Sequence, residues 1–182
     1  MSPRMHDGLQ GAATGAALQA MAFALRVHAA QTRDDRRTPY ASHLSEVAGV
    51  AACMAWAQAD VDADTMLATA WLHDCIESQH IAPQVLQAQF GPQVAAAVLL
   101  LSDTEVGSPE QRRDAKRARL ADAPAWIQNI KCADLISNCR FIALHDPAQA
   151  SAYLAEAREI LSRLTRAHPQ LHALAVQHAQ GD

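Results

Sequence analysis

Aromatic residues are scarce in this sequence, at 4%, and glycine occurs only 7 times in 182 residues. Half of the residues are nonetheless hydrophobic, with alanine and leucine predominating. Strands favour aromatic and β-branched side chains, whereas alanine and leucine stand near the top of the helix scale. The composition therefore argues against a β-sheet protein and predicts an all-α fold of a length that suits one domain.

An excess of positive charge is also missing, since the formal net charge is −4 and the sequence pI is about 6.1. A chain without a basic field is not expected to bind nucleic acid through its surface as a whole. No unbroken apolar run reaches the ~18 residues of a membrane-spanning helix, and no export signal opens the chain. We therefore expect a cytoplasmic protein with neither nucleic acid nor membrane as its partner.

The four cysteines show neither the CxxC spacing of a metal or redox site nor the density of a disulfide scaffold. Each of them, Cys53, Cys75, Cys132 and Cys139, lies in an apolar segment with a helical pattern. This placement predicts buried, reduced thiols. Metal ligation is therefore expected from nitrogen and oxygen donors rather than from sulfur.

Helical periodicity accounts for most of the chain, and proline and glycine mark its interruptions. Gly91-Pro92 divides one apolar segment, and Asp146-Pro147 ends a long one. We expect a single-domain helical bundle over residues 1–182, with residues 1–10 and 179–182 frayed. The predicted helices are residues 15–31, 39–57, 62–78, 83–90, 93–101, 124–144, 149–167 and 169–178.

The dipeptide His73-Asp74 is the most informative feature, because it puts two ionisable side chains into an apolar helical segment. His43 upstream and Asp134 downstream lie in similar segments. Burying such groups costs several kcal/mol unless they are paired or coordinated, and one divalent metal would account for all four. This donor set is typical of a catalytic site and suits Mn²⁺ or Fe²⁺, with Mg²⁺ or Zn²⁺ as alternatives.

Glu77 follows His73 by four residues on the same helix face, so its carboxylate is a candidate to orient or deprotonate water. Ser78 extends this face by one turn beyond Asp74. A phosphate-rich substrate would need positive charge, and the sequence has a local supply. These observations predict a metal-dependent phosphohydrolase. The basic residues expected near its cavity are Arg26, His28, Arg33, Arg36, Arg37, Lys131 and Arg140.

Each of these features has a plainer interpretation when it is taken alone. A single histidine on an apolar helix is most often a hydrogen-bonded core residue, and an arginine-rich loop is commonly solvated surface. Tyr40 and Tyr153 would by default be half-buried packing residues. The joint occurrence of the features, in one order along the chain, is what favours a site.

Five motifs follow one another over residues 16–165, and in this order they resemble the HD-domain phosphohydrolases. Within that group the likeness is to the small alarmone hydrolases and to the hydrolase domain of RelA/SpoT-type enzymes. The histidine and aspartate motifs carry most of its specificity. The motifs are His28-x-x-Gln31, Pro39-Tyr40-x-x-His43, Ala70-Trp71-Leu72-His73-Asp74-x-x-Glu77, Phe90-Gly91-x-x-Val94 and Lys131-x-Ala133-Asp134-x-x-x-Asn138-x-Arg140.

The resemblance implies an HD-type bundle that binds one Mn²⁺ through His43, His73, Asp74 and Asp134. It also implies removal of pyrophosphate from the 3′ position of guanosine tetra- or pentaphosphate (ppGpp or pppGpp). An acidic pair after the HD motif assists the attacking water in that family, and Glu77 matches its first member. The residues that the resemblance assigns to substrate binding are Arg26, His28, Tyr40, Lys131, Asn138, Arg140 and Tyr153.

The sequence also departs from the family pattern around the expected reaction centre. Ser78 replaces the second acidic residue, and a serine hydroxyl cannot act as a base at neutral pH. Val27 and Leu135 stand where lysine is common in the family. Two alternatives therefore stay open: a hydrolase of another nucleotide phosphate, and a nucleotide-binding sensor with impaired catalysis. A small nucleotide is the expected partner in each case, and a homodimer is an open alternative for the assembly.

Overall fold

The computed structural model describes residues 15–181, which form nine helices and no strand. The prediction of an all-α fold is therefore confirmed. One isolated antiparallel bridge, between Thr32 and Pro39, closes the loop that joins the first two helices. The helices are α1 (Ala16–Val27), α2 (Ala41–Ala55), α3 (Ala63–Leu72), α4 (Cys75–Gln79), α5 (Pro83–Leu101), α6 (Pro109–Asp122), α7 (Ala125–His145), α8 (Pro147–Leu161) and α9 (Pro169–Gln180).

Helices α2, α3 and α7 form the centre of the packing. Helix α3 packs against α1, α2 and α5, while α7 packs against α2, α8 and α9. Buried side chains such as Leu72, Met66 and Leu161 fill the spaces between these helices. Polar residues from α2, α3 and α7 therefore approach one another in the interior.

The segment that carries the HD dipeptide is not one continuous helix, contrary to the prediction of a helix over residues 62–78. Helix α3 ends at Leu72, and α4 begins at Cys75. Asp74 has φ −100° and ψ −1°, which departs from helical geometry. His80 then ends α4 with a left-handed conformation. His73 and Asp74 lie at this break, between the two helices.

Helix α5 contains the kink that Gly91-Pro92 predicted. Gly91 has φ +86°, a conformation that glycine adopts at no steric cost. Within the described residues α5 is the helix whose length and composition would let it cross a membrane, and a third of it is buried. No membrane span was expected here, because no unbroken apolar run in the sequence reaches that length. The kink leaves two segments that are each shorter than a span, and Leu86 and Val98 pack in the core.

The C-terminal ends of α1, α8 and α9 differ from the predicted ones. Helix α1 ends at Val27 rather than at residue 31, because the chain turns at His28 toward the Thr32–Pro39 bridge. Helix α8 ends at Leu161 rather than at residue 167. Helix α9 continues to Gln180 and buries Ala179. Residues 179 and 180 are therefore helical, contrary to the prediction that they are frayed. Residues 1–10 and 182 lie outside the described residues.

The thiols follow the prediction at three of the four positions. Cys75, Cys132 and Cys139 are buried and free, and burial raises the pKa of each. Cys53 is exposed, which corrects the prediction for that residue. The buried stripe of α2 passes through Ala51, and a residue two positions further along faces the other way.

Candidate active site

The four predicted metal ligands lie together in the interior. His43 on α2 is fully buried, and its Nε2 lies 3.2 Å from Nε2 of His73. The same atom lies 3.3 Å from Oδ2 of Asp74 and 3.4 Å from Oδ1 of Asp134. His73 and Asp74 occupy the break between α3 and α4, and Asp134 lies on α7. Three parts of the fold thus bring two nitrogen and two oxygen atoms to one point.

Hydrogen bonds on the outer edge of each imidazole orient its inner nitrogen. His73 Nδ1 lies 2.8 Å from the carbonyl oxygen of Ala70, and because a carbonyl only accepts, this nitrogen donates. A neutral His73 therefore presents an unprotonated Nε2 to the cluster. His43 Nδ1 lies 2.9 Å from Oγ of Ser137, so the Nε2 of His43 also faces inward.

When both imidazoles are neutral, the centre of the cluster consists of groups that accept rather than donate hydrogen bonds. Neutral imidazole nitrogens and carboxylate oxygens separated by 3.1–3.8 Å repel one another unless a cation lies between them. The ligand atoms of His43, His73 and Asp134 all lie within 4.8 Å of one another. Asp74 Oδ2 lies 3.1 Å from His73 Nε2. This buried set of nitrogen and oxygen donors fits a divalent metal ion.

The pKa shifts of His73 and of the two aspartates also indicate that a positive charge stabilises the cluster. Burial lowers the pKa of His73, but the carboxylates of Asp74 and Asp134 outweigh it and raise that pKa to about 9. Burial raises the pKa of the two carboxyl groups, but the neighbouring cations outweigh it and hold both values well below the ordinary range. Without a metal, a proton on His73 supplies the positive charge, so protons and metal compete for the site.

Side chains behind the two aspartates satisfy their remaining lone pairs. The Tyr40 hydroxyl donates to Oδ2 of Asp74 at 2.5 Å. Lys131 Nζ donates to Oδ2 of Asp134, and Asn138 Nδ2 donates to Oδ1 of the same residue, both at 2.7 Å. The family resemblance assigned all three of these donors to substrate binding. In the structure each of them also orients a carboxylate of the cluster.

Replacing Lys131 by methionine should destabilise the metal-free protein by about 3 kcal/mol. The Lys131–Asp134 pair is largely buried, and removing one partner of such a pair leaves the other charge uncompensated. Urea denaturation in the presence of EDTA measures the change. Added Mn²⁺ should reduce the loss, because a bound cation supplies the missing positive charge.

The matched control is Lys116→Met on α6. Lys116 pairs with Asp103 at 2.6 Å, but this pair is more exposed to solvent. The expected loss is below about 1 kcal/mol, as for other exposed ion pairs. An equal loss in both variants, or no effect of Mn²⁺ on the Lys131 variant, would contradict the assigned electrostatics.

A cavity of about 320 Å³ opens beside the cluster. It brings together four residues that sequence analysis assigned to the site: Tyr40, Ser78, Asn138 and Tyr153. Gln31, Arg33 and Phe141 contribute further to its wall. Burial raises the pKa of Tyr40 and of Tyr153, so both phenols stay protonated and able to donate hydrogen bonds.

Glu77 lies on α4, three residues beyond Asp74. Its Oε2 accepts a hydrogen bond from the backbone N–H of Asp103 at 2.9 Å. Desolvation by the surrounding protein raises the pKa of this carboxyl, although part of the residue is exposed. Asp103 is itself held by Lys116 and Arg119 of α6. The loop before α6 therefore fixes the orientation of Glu77.

Three residues predicted to bind substrate lie elsewhere. Arg26 is exposed, and its guanidinium lies over the Phe23 ring, 5.2 Å from the centroid. His28 is buried behind Tyr40, with the two rings stacked at 5.2 Å. Arg140 is exposed and lines a separate cavity between α2 and α7. Residues two apart on a helix point in nearly opposite directions, so Arg26 cannot share a face with His28, nor Arg140 with Asn138.

Three polar residues near the cluster had no specific role predicted from the sequence: Arg33, Glu46 and Ser137. Arg33 was expected as one of several loop cations, together with Arg36 and Arg37, which are exposed. Arg33 is instead buried, with its guanidinium 3.9 Å from the centroid of the Phe141 ring. Glu46 and Ser137 were missed, although each follows a predicted ligand by three residues on its helix. That i+3 spacing was the available signal.

The comparisons with known proteins agree with this geometry. The family model described as HD domain matches residues 20–170. A Drosophila melanogaster protein, guanosine-3′,5′-bis(diphosphate) 3′-pyrophosphohydrolase MESH1, is 24% identical over 131 residues, which is 71% of this chain and 71% of that protein. A solved structure described as a metazoan ortholog of SpoT that hydrolyses ppGpp and plays a role in starvation responses has a TM-score of 0.76.

That solved structure is 20% identical in sequence, and the match covers 99% of this chain and 97% of the other. At this identity the likeness establishes the fold. The family model in turn matches most of the chain, from α1 into α9, and includes all four residues of the cluster. The resemblance seen in the sequence motifs is therefore confirmed, and this chain belongs to the HD domain family.

Proposed function

We propose that this chain is a metal-dependent phosphohydrolase that removes pyrophosphate from the 3′ position of ppGpp and pppGpp, yielding GDP and GTP. The observation that carries the proposal is the buried cluster of two histidines and two aspartates beside a polar cavity. The volume of the cavity, about 320 Å³, is in the range of small-molecule sites. The activities given for the Drosophila relative and for the structural neighbour support the choice of substrate.

Mn²⁺ is the metal that we propose, and Fe²⁺, Mg²⁺ and Zn²⁺ are alternatives that the same donors accept. His43 and His73 would bind it through Nε2, and Asp74 and Asp134 through one carboxylate oxygen each. A bound divalent ion lowers the pKa of water and polarises a phosphoryl oxygen, which is the chemistry that this hydrolysis needs.

Glu77 is the proposed base of the reaction. Its carboxylate takes a proton from water while the water oxygen forms a bond to the phosphorus attached to the 3′ oxygen. The bond between that phosphorus and the 3′ oxygen breaks, and the electron pair stays on the 3′ oxygen, which takes up a proton from the surrounding water. The raised pKa of Glu77 brings its basicity closer to that needed near neutral pH.

The cavity wall supplies the groups that we propose for substrate recognition. Tyr153 offers an aromatic ring to a nucleobase, while Ser78 and Asn138 offer hydrogen bonds to phosphate or sugar oxygens. Arg33 contributes a guanidinium to the same wall. Arg26, His28 and Arg140 have other surroundings in the structure, so we do not include them in this set.

One observation favours a second candidate, a nucleotide-binding sensor with slow turnover. Ser78 lines the cavity at the position where the family resemblance places a second acidic residue. A hydroxyl at this point can hold a phosphate oxygen by a hydrogen bond, but it cannot take a proton from water. Binding would then be retained while the chemical step is slowed.

A substrate screen with product identification tests the proposed function. The purified protein is loaded with Mn²⁺ and incubated separately with ppGpp, pppGpp and a panel of other nucleotide phosphates, with Asp74→Asn as the inactive control. Release of pyrophosphate together with GDP or GTP is the expected result. Phosphate released only from other nucleotides would reject alarmone hydrolysis. Tight ppGpp binding without turnover, with turnover gained in Ser78→Asp, would favour the sensor.

We also propose that all 182 residues belong to one HD domain. Helix α7 packs against α2 on one side and against α8 and α9 on the other, so the core is continuous through the described residues. A single cooperative unfolding transition in urea, followed by circular dichroism and by tryptophan fluorescence, is the corresponding expectation.

A further inference from the structure

Ser137 lies where three polar side chains meet behind the candidate metal cluster. Its side chain is buried, and Oγ lies 2.6 Å from Oε2 of Glu46 on α2. The same oxygen lies 2.9 Å from Nδ1 of His43 and 3.1 Å from Nη1 of Arg33. A serine hydroxyl has one proton to donate and two lone pairs with which to accept, so these three neighbours use its full capacity.

The direction of each hydrogen bond in this group follows from its neighbours. An ionised carboxylate can only accept, so the Ser137 hydroxyl donates its proton to Glu46. A guanidinium can only donate, so Ser137 accepts from Arg33. The remaining lone pair of Oγ must then accept from Nδ1–H of His43. With the proton fixed on Nδ1, the neutral His43 ring carries its lone pair on Nε2, the atom that faces His73 and Asp134.

Arg33 extends the same network to a second member of the cluster. Its Nη2 donates to Oδ1 of Asn138 at 2.7 Å, and Nδ2 of Asn138 donates to Oδ1 of Asp134 at 2.7 Å. Accepting from Arg33 through its oxygen fixes which end of the Asn138 amide faces Asp134. One buried guanidinium from the loop after α1 therefore orients a histidine and an aspartate through two intermediates.

We propose that Glu46, Ser137 and Arg33 form a positioning network that sets the tautomer of His43 and the orientation of Asp134 for metal binding. The three residues act through the ligands and do not themselves touch the metal. Second-layer partners of this kind typically change metal affinity by about 10- to 100-fold when they are removed. The inference rests on the proposed metal site and is independent of which nucleotide, if any, is hydrolysed.

The test uses Mn²⁺ alone, without nucleotide, and measures its affinity by competition with a chelating dye. Ser137→Ala should weaken Mn²⁺ binding by about 10- to 100-fold, because His43 loses the acceptor that holds its proton on Nδ1. Ser102→Ala is the matched control, since Ser102 is equally buried and donates to the carbonyl of Val98 away from the cluster. This control should retain the wild-type affinity.

A second pair of variants avoids disturbing the core. Glu46 is exposed, so neither of its variants removes a buried side chain. Glu46→Ala removes the acceptor of the Ser137 proton and should weaken Mn²⁺ binding, whereas Glu46→Gln keeps an amide oxygen that can accept it and should restore most of the affinity. A purely structural role of Glu46 would not distinguish the two variants in this way.

A spectroscopic measurement reads the tautomer directly. In the protein loaded with diamagnetic Zn²⁺, the Nδ1–H of His43 should give a protected imidazole N–H signal, and this signal should exchange faster with water in Ser137→Ala. Wild-type Mn²⁺ affinity in both Ser137→Ala and Glu46→Ala would overturn the proposal. Failure of the wild-type protein to hydrolyse ppGpp would instead overturn the proposed function and would leave these metal affinities unaltered.

Discussion

Replacement of His73 by alanine is expected to abolish both the uptake of divalent metal and the hydrolysis of nucleotide. His73 supplies one of two nitrogen donors, and its Nε2 lies within 3.1–3.8 Å of the other cluster atoms. A metal contributes several kcal/mol to the stabilisation of a phosphoryl transition state, and each 1.36 kcal/mol corresponds to a tenfold change in rate. Activity should therefore fall by about 1000-fold or more.

Metal content by elemental analysis and pyrophosphate release measure the two effects together. Asp74→Asn should reproduce both losses without a change in side-chain volume, which separates ligand loss from the effect of a cavity. His178→Ala, on the partly exposed side of α9, serves as the histidine control and should behave as the wild type. A His73 variant that retained a full equivalent of metal would contradict the ligand assignment.

Glu77→Gln is expected to lower kcat by about 100-fold while the affinity for Mn²⁺ is retained. The substitution keeps the shape of the side chain but removes its ability to take a proton, and general base catalysis is typically worth about 10²- to 10⁴-fold. Glu77 accepts a hydrogen bond from the backbone N–H of Asp103 and is not one of the four residues of the cluster. Metal binding should therefore not depend on the charge of Glu77. Steady-state kinetics and dye competition measure the two quantities.

The pH dependence provides a second readout of Glu77. A base acts when it is deprotonated, so kcat of the wild type should fall as the pH drops through the pKa of this carboxyl. That pKa is raised by desolvation, so the fall should begin at a higher pH than for an ordinary carboxyl group. At Mn²⁺ concentrations that keep the metal site saturated over the whole pH range, Glu77→Gln should lose this limb of the profile, and Glu159→Gln, an exposed control on α8, should keep it. An unchanged kcat in Glu77→Gln would remove this residue from the mechanism.

The fold class and the kink at Gly91 could be predicted because they depend on local properties of the chain. Helix propensity, apolar periodicity and the conformational freedom of glycine act within a few residues of each other. The break between α3 and α4 could not be predicted in the same way. Residues 62–78 contain neither glycine nor proline, so helix propensity gives no signal for ending one helix at Leu72 and beginning another at Cys75.

The candidate ligands were identifiable because burying an ionisable group costs free energy unless it is paired or coordinated, so such a group in an apolar helix indicates a site. The groups around them were harder to assign from sequence. Lys131 was expected to bind substrate, whereas the structure pairs it with Asp134. Glu46 and Ser137 had only their i+3 spacing from His43 and Asp134 as a signal, and they acquire a role only when α2 and α7 pack together. The packing of helices against one another decides which polar residues come into contact, and the amino-acid sequence does not give the distances between helices directly.

The arginines show where reasoning from charge alone fails. Arg33 and Arg36 lie in one basic loop, yet Arg33 is buried against Phe141 and Arg36 is exposed. Arg140 follows Asn138 by two residues, and the helical rotation puts it on the opposite side of α7. Helix geometry alone would have excluded Arg140 from the cavity. For the loop, only the folded conformation shows that Arg33 is buried while Arg36 is exposed.

X-ray diffraction at the manganese absorption edge, from crystals soaked in Mn²⁺, tests the central claim most directly. We expect one anomalous peak, bonded to Nε2 of His43 and of His73 and to a carboxylate oxygen of Asp74 and of Asp134. Absence of a peak among these four side chains at saturating Mn²⁺, or a peak bonded elsewhere in the chain, would contradict the account.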